Sequence, residues 1–139
     1  MSRRVSTFER LALKERVLIN QQMRGLGTLN NEFQQVDQMR RKLDEMAREQ
    51  VADGGEQMAG SLRVTSQLNF QIREQLETAS NRCDHLSEEL QNIRKKIVQC
   101  DRRREKSTHK ADTLRIQERN ERDAKREDDE ASRRRIRAP

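Results

Sequence analysis

The sequence predicts an all-α protein: an antiparallel two-helix coiled-coil hairpin with an overhanging C-terminal helix. Three observations carry this reading. Ile72, Leu76, Ala79, Cys83, Leu86, Leu90, Ile93, Ile97 and Cys100 follow alternating steps of four and three residues without a miss. That alternation averages about 3.5 residues per turn, which draws a narrow seam on a helix rather than the broad face of a globular-core helix. A second seam with the same step precedes it. Between the two lies the one strong helix break in the chain, Asp53-Gly54-Gly55 with Gly60 shortly after, where glycine admits the backbone angles that end helices. A single seam cannot bury itself, so each half must cover the other.

Composition supports a helical protein without a large core. Of 139 residues, 31% are hydrophobic and 2% aromatic, too few to fill a globule, while 39% are charged. Such a chain lies near the border with disorder, and its periodicity is what separates it from that class. A formal net charge of +6 and a pI near 9.9 suit nucleic acid, acidic proteins or an anionic membrane surface as partners. No apolar run approaches the ~20 residues that span a bilayer. The basic start, Met-Ser-Arg-Arg-Val-Ser, is not followed by the apolar block of a secretory signal. A cytoplasmic location is the default expectation.

Taken in order, residues 1–5 form an N-terminal tail. Ser6, followed three residues later by Glu9, reads as a capping box that opens a first helix over 6–51. Its seam is Val5, Phe8, Ala12, Glu15, Ile19, Gln22, Leu26, Leu29, Phe33, Val36, Arg40, Leu43 and Ala47. The polar members Glu15, Gln22 and Arg40 cost stability and fix register. Gly25 and Gly27 each cost about 1 kcal/mol relative to alanine inside a helix, which predicts a bend or soft spot there. Residues 52–61 form the glycine-containing turn, and Ser61 is the expected cap of a second helix over 62–136.

The seams predict a register. If residues facing across the hairpin have numbers summing to roughly 112, Phe33 lies opposite Ala79, Leu29 opposite Cys83, Leu26 opposite Leu86, Val36 opposite Leu76 and Ile19 opposite Ile93, with large facing small at Phe33. A register one heptad away preserves the same pattern, so both stand. In the first, the partner of the first helix ends near Lys106 and about 30 C-terminal residues stay unpaired. Beyond Cys100 the seam weakens through Arg104, Ser107, Ala111 and Leu114, then turns charged at Glu118, Glu121, Lys125 and Asp128. A helix polar on all sides rests on ion pairs one turn apart and orders on a partner.

Catalytic chemistry is nearly absent. His85 and His109 stand far apart without cysteine or carboxylate company at metal-ligand spacing, so they read as solvated surface histidines. Cys83 and Cys100 both sit on the seam, about 25 Å apart along one helix, too far to bond to each other. They read as small buried residues of a reducing compartment. Gly25-Leu26-Gly27 lacks the strand and the remaining glycine of a phosphate-binding fingerprint. No enzyme, cofactor or small-molecule substrate is expected.

Two features stand out from this background. Leu11 and Leu18 flank the first seam, while Leu13 and Val17, one turn apart, point away from it. Apolar residues outside a seam suit a protein-binding site, or equally a helix that uses a wider face. The second feature is the C-terminal run, where residues 102–104 and 133–135 and Arg137 are basic and 127–130 acidic. A solvated charged helix is the commonest meaning of such a run.

The opening Leu11-Ala12-Leu13-Lys14-Glu15-Arg16, the glutamine-rich first coil, the turn near residue 55 and the ending over 118–135 together resemble the small coiled-coil protein of bacterial flagellar export, the FliJ family, and its injectisome counterpart, the YscO family. The most motif-like part is the acidic pair Asp129-Glu130, then Ala131, then Arg133 and Arg134. The tryptophans and tyrosines of some members are absent from this sequence.

The resemblance implies a non-enzymatic stalk or escort component of the type III protein export apparatus. By that likeness its partners are the export ATPase hexamer, the export-gate membrane protein and export chaperones. The open end of the hairpin, residues 6–19 with 102–135, enters or approaches the ATPase ring. The implied partner-binding residues are Leu11, Leu13, Val17, Leu18, Arg102, Arg103, Arg119, Arg122, Asp129, Glu130, Arg133 and Arg134. The implied location is the cytoplasm, at the inner membrane through the apparatus.

Two other classes remain. A basic helix that binds nucleic acid needs clustered cations, which the tail supplies. Against it, acidic residues interrupt every basic stripe and no aromatic is placed for base stacking. A structural coiled coil that forms a homodimer is also open, because Glu15, Gln22 and Arg40 suit partners in another copy.

Overall fold

The computed structural model describes residues 3–52 and 59–137. They form two α-helices, α1 (Arg3–Ala52, 50 residues) and α2 (Ala59–Arg137, 79 residues), with no strand among the described residues. The chain divides into two compact units. One joins the start of α1, up to Gln21, to α2 from Ile97 onward; the other comprises residues 22–96. In each, α1 and α2 run antiparallel with their seams facing. The expected turn residues Asp53, Gly54 and Gly55 lie outside the described residues.

Every seam position predicted for α1 and for α2 up to Cys100 is buried or half-buried. The seam continues backward from Ile72 to the half-buried Asn69 and Thr65, in the same steps of three and four. In heptad letters Val36 and Leu43 are d positions and Arg40 and Ala47 a positions of α1; Ile72 and Ala79 are d, Leu76 and Cys83 a, in α2. In the second unit Leu43, Ile72 and Ala79 form one buried cluster, with Val36, Ala47 and Leu76 packed against it, and Cys83, Leu86 and Leu90 are buried as well. In the first unit Val5, Cys100 and Ala111 are buried.

The helix starts differ from those expected. α1 begins at Arg3, so Ser6 lies inside the helix and caps nothing. Val5 is 0% exposed, and burying a valine contributes roughly 1.5–3 kcal/mol, more than the ~1 kcal/mol of an N-cap. Extending the helix to bury Val5 therefore wins. α2 likewise begins at Ala59 and passes through Gly60, and the Ser61 carbonyl accepts a hydrogen bond from Thr65 Oγ1 at 2.7 Å within the helix. Gly25 and Gly27 sit in an uninterrupted α1 with no positive φ, and no break marks them.

The register is the second difference. In the second unit Cys83 faces Arg40 and Asp37, not Leu29, and Glu32 pairs with Arg82. In the first unit Lys110 lies over the Phe8 ring, 5.5 Å from its centroid, Glu15 meets Arg103 at 3.4 Å, and Glu9 pairs with Arg115. These pairs fit the register one heptad beyond the one that places large opposite small at Phe33. Pairing therefore extends well past Lys106: Ala111 is buried, and Leu114 and Glu118 are half-buried. The unpaired end of α2 is residues 119–137, all of them exposed.

Candidate protein-interaction surface

All twelve predicted contact residues fall in the first unit, but they do not form one patch. Leu11 and Leu18 are seven residues apart, at g positions beside the seam. Leu11 is exposed and Leu18 half-buried. Leu13, 62% exposed, instead lines a shallow groove with Glu9 and Arg16 of α1 and Arg104, Thr108 and Arg115 of α2. Val17, also exposed, follows Leu13 by one turn. The groove carries three guanidinium groups against the carboxylates of Glu9 and Asp112. A basic groove with an apolar residue at its edge suits a segment bearing acidic and apolar side chains.

The arginines divide as well. Arg102 is exposed. Arg103 is held within the fold, because it pairs with Glu15 and its guanidinium donates to Cys100 Sγ at 3.2 Å. These contacts hold its charged form above its ordinary range, the Cys100 hydrogen bond foremost and the Glu15 charge next. Glu15 Oε2 is buried without a hydrogen-bond partner. Arg103 is thus tied to the seam while its side chain stays 60% exposed.

Arg119, Arg122, Asp129, Glu130, Arg133 and Arg134 all lie on the exposed 119–137 end of α2. Among the described residues ion pairs within α2 reach no further than Arg115, which pairs with Asp112 at 3.2 Å. Ile136, 84% exposed, is not among the predicted contacts. Its signal was available, since a single isoleucine among arginines lies off the seam and nothing on its own helix can cover it.

The chemistry of the remaining polar groups is structural. Cys83 and Cys100 are free and buried. Burial pushes the Cys83 thiol up, the nearby Asp37 carboxylate pushes it further, and the Arg40 guanidinium opposes both. Arg40 is itself held charged chiefly by its hydrogen bonds to Asp37, at 2.9 and 3.2 Å. His85 is not without carboxylate company: its Nε2 lies 2.9 Å from Glu89, one turn on. No group of three or more His, Cys, Asp or Glu side chains able to hold a metal occurs among the described residues. No helix among them is long and apolar enough to cross a membrane.

The geometry defines a class, the antiparallel two-helix coiled coil with one bare helical end. No family model, curated protein or solved structure matches the chain.

Proposed function

We propose that this chain is a non-enzymatic stalk or escort component of a bacterial type III protein export apparatus. The proposal rests on the resemblance to the FliJ and YscO families and on one structural observation. Residues 119–137 form a helical end with every residue exposed and both signs of charge interspersed. Such a surface makes many weak, interchangeable contacts, each worth at most about 1 kcal/mol, and together they hold a shaft inside a ring of repeated subunits without locking it. The export ATPase hexamer is the partner that surface fits. The groove around Leu13 is the surface offered to an emptied chaperone or to the export-gate membrane protein.

The test is the ATPase rate of the export ATPase at saturating ring concentration, with and without the full chain. Stimulation is expected, together with no hydrolysis by the chain alone. Stimulation should fall in the Arg133→Glu, Arg134→Glu variant. Equal rates with and without the chain would remove the proposal, and retention on DNA or RNA at about 200 mM salt would favour a nucleic-acid role instead.

A further inference from the structure

The two flanks of the seam in the second unit differ sharply. On one side of α1 the charges are spent in ion pairs one turn apart, Asp37 with Arg41 and Asp44 with Arg48, both at 3.2 Å. On the other side g positions are held by Met39 and Met46, 60% and 50% exposed; Met46 lines a groove with Leu68 of α2, 44% exposed and also at g, and Met39 lines the next with Gln75. Between them run two adjoining shallow grooves that share Leu43, Gln71 and Gln75. Between residues 36 and 47 this flank adds Met39 and Met46 at g to Val36, Leu43 and Ala47 at d and a, with Arg40 the one charged member. That is about three positions in seven, the width of a helix inside a bundle rather than of a two-stranded seam.

We infer that this flank packs against the same flank of a second copy, related by a two-fold axis, so that two hairpins form a four-helix bundle. The charges on the flank favour a copy over an unrelated partner. Glu32 is already paired with Arg82 across the groove. The carboxylates of Glu49 and Glu74 stand at the rim, and Lys42, exposed and placed between Met39 and Met46 on the same side of α1, supplies the complementary cation. A two-fold interface needs a surface that complements itself, in which a residue i meets j and j meets i. Lys42 against a copy's rim carboxylates meets that requirement. So do Gln71 and Gln75, whose carboxamides both donate and accept. Methionine adds side chains that adjust to fill an interface.

The inference is independent of the proposed export role, which rests on the other unit. Sedimentation velocity of the full chain from about 1 to 200 µM tests it, since interfaces of this kind bind in that range or tighter. A reversible dimer is expected, and Met39→Glu with Leu68→Glu should raise its dissociation constant at least tenfold while helical content by circular dichroism stays unchanged. Phe70→Glu, about 200° around α2 from Leu68, should leave the dimer as it was. A single-copy mass across the whole range, or a dimer indifferent to the Met39 and Leu68 changes, would overturn the inference. Loss of helix in the double variant is answered by Met39→Gln with Leu68→Gln, which removes apolar surface without charge and must weaken the dimer for the inference to stand.

Discussion

Arg103 of α2 reaches Glu15 of α1 at 3.4 Å, and this contact marks the register of the first unit. In the register chosen by matching large with small side chains, Glu15 would face Ile97 and Arg40 would face Ile72. Arg40 keeps Asp37 of its own helix in either register, and the place Arg103 takes beside Glu15 would fall to Lys96, seven residues earlier. One heptad beyond the register that sets Phe33 opposite Ala79, Glu15 meets Arg103, and Arg40 lies near Cys83. These cross-helix contacts, rather than the matching of large with small side chains, mark the register.

The register is measurable by disulfide trapping within one copy. Leu29→Cys with Leu90→Cys, in a Cys83→Ala background, should cross-link readily on oxidation, whereas Leu29→Cys with the native Cys83 should not. Disulfide geometry requires Cα atoms within about 7 Å, so a shift of one heptad, about 10 Å along a helix, separates the two outcomes. Efficient bonding of position 29 to Cys83 would instead establish the register that sets Phe33 opposite Ala79.

Replacing the charged seam residue separates stability from specificity. Glu15→Leu should stabilise the chain by about 1 kcal/mol, because Arg103 is exposed enough to be solvated without its partner and the half-satisfied carboxylate is gone. Combined with Arg40→Leu, it should let the second register appear, seen as a rise in cross-linking between positions 29 and 83. A double variant that remains in one register would assign the choice to packing instead.

Gly25 and Gly27 offer a simpler gain. A Cβ built at either position meets nothing within 4 Å, and both residues are helical. Gly25→Ala and Gly27→Ala should each raise stability by about 0.5–1 kcal/mol in denaturant titrations. A loss of stability at either site would mean that the glycine is needed for backbone freedom after all.

Alkaline pH should weaken the fold through Cys83. Its thiol is held above the ordinary value in the folded chain, chiefly by burial. The folded state therefore keeps its proton where the unfolded state loses it. That contribution is complete below the unfolded thiol pKa of about 8.5 and is lost as pH rises through the raised folded value. Cys83→Ala should flatten the part of the stability profile above about pH 8.5 relative to the unsubstituted chain. In the same logic Cys83 should react with alkylating reagents only slowly until the chain unfolds. Rapid alkylation of the folded protein would contradict its burial.

The two seams were legible because the step of four and three is a property of one helix, written along the chain and independent of what covers it. Thus the seam positions from Ile72 to Cys100, and from Val5 to Ala47, are buried or half-buried where periodicity placed them. The g-position methionines were equally visible as letters, but their meaning depended on knowing that Met46 and Leu68 line one groove. Leu11, Leu13, Val17 and Leu18 were likewise visible as apolar residues off the seam, but that Leu13 lines a groove with α2 depended on the neighbouring helix. Residues a few places apart in sequence lie on different sides of a helix, and only the position of the neighbouring helix says which side is covered.

Sequence alone therefore determined the helices, their seams and their antiparallel pairing, since each follows from local period and from one glycine-rich break. The start of α1 at Arg3, the register and the length of the bare end were decided by tertiary structure. They depend on which side chains meet across two helices: Val5 entering the interface, Glu15 finding Arg103, and Phe8 lying under Lys110. A seven-residue slide leaves the pattern of every seam unchanged while replacing every cross-helix partner, so periodicity carries no information about it and the contacts between the helices do.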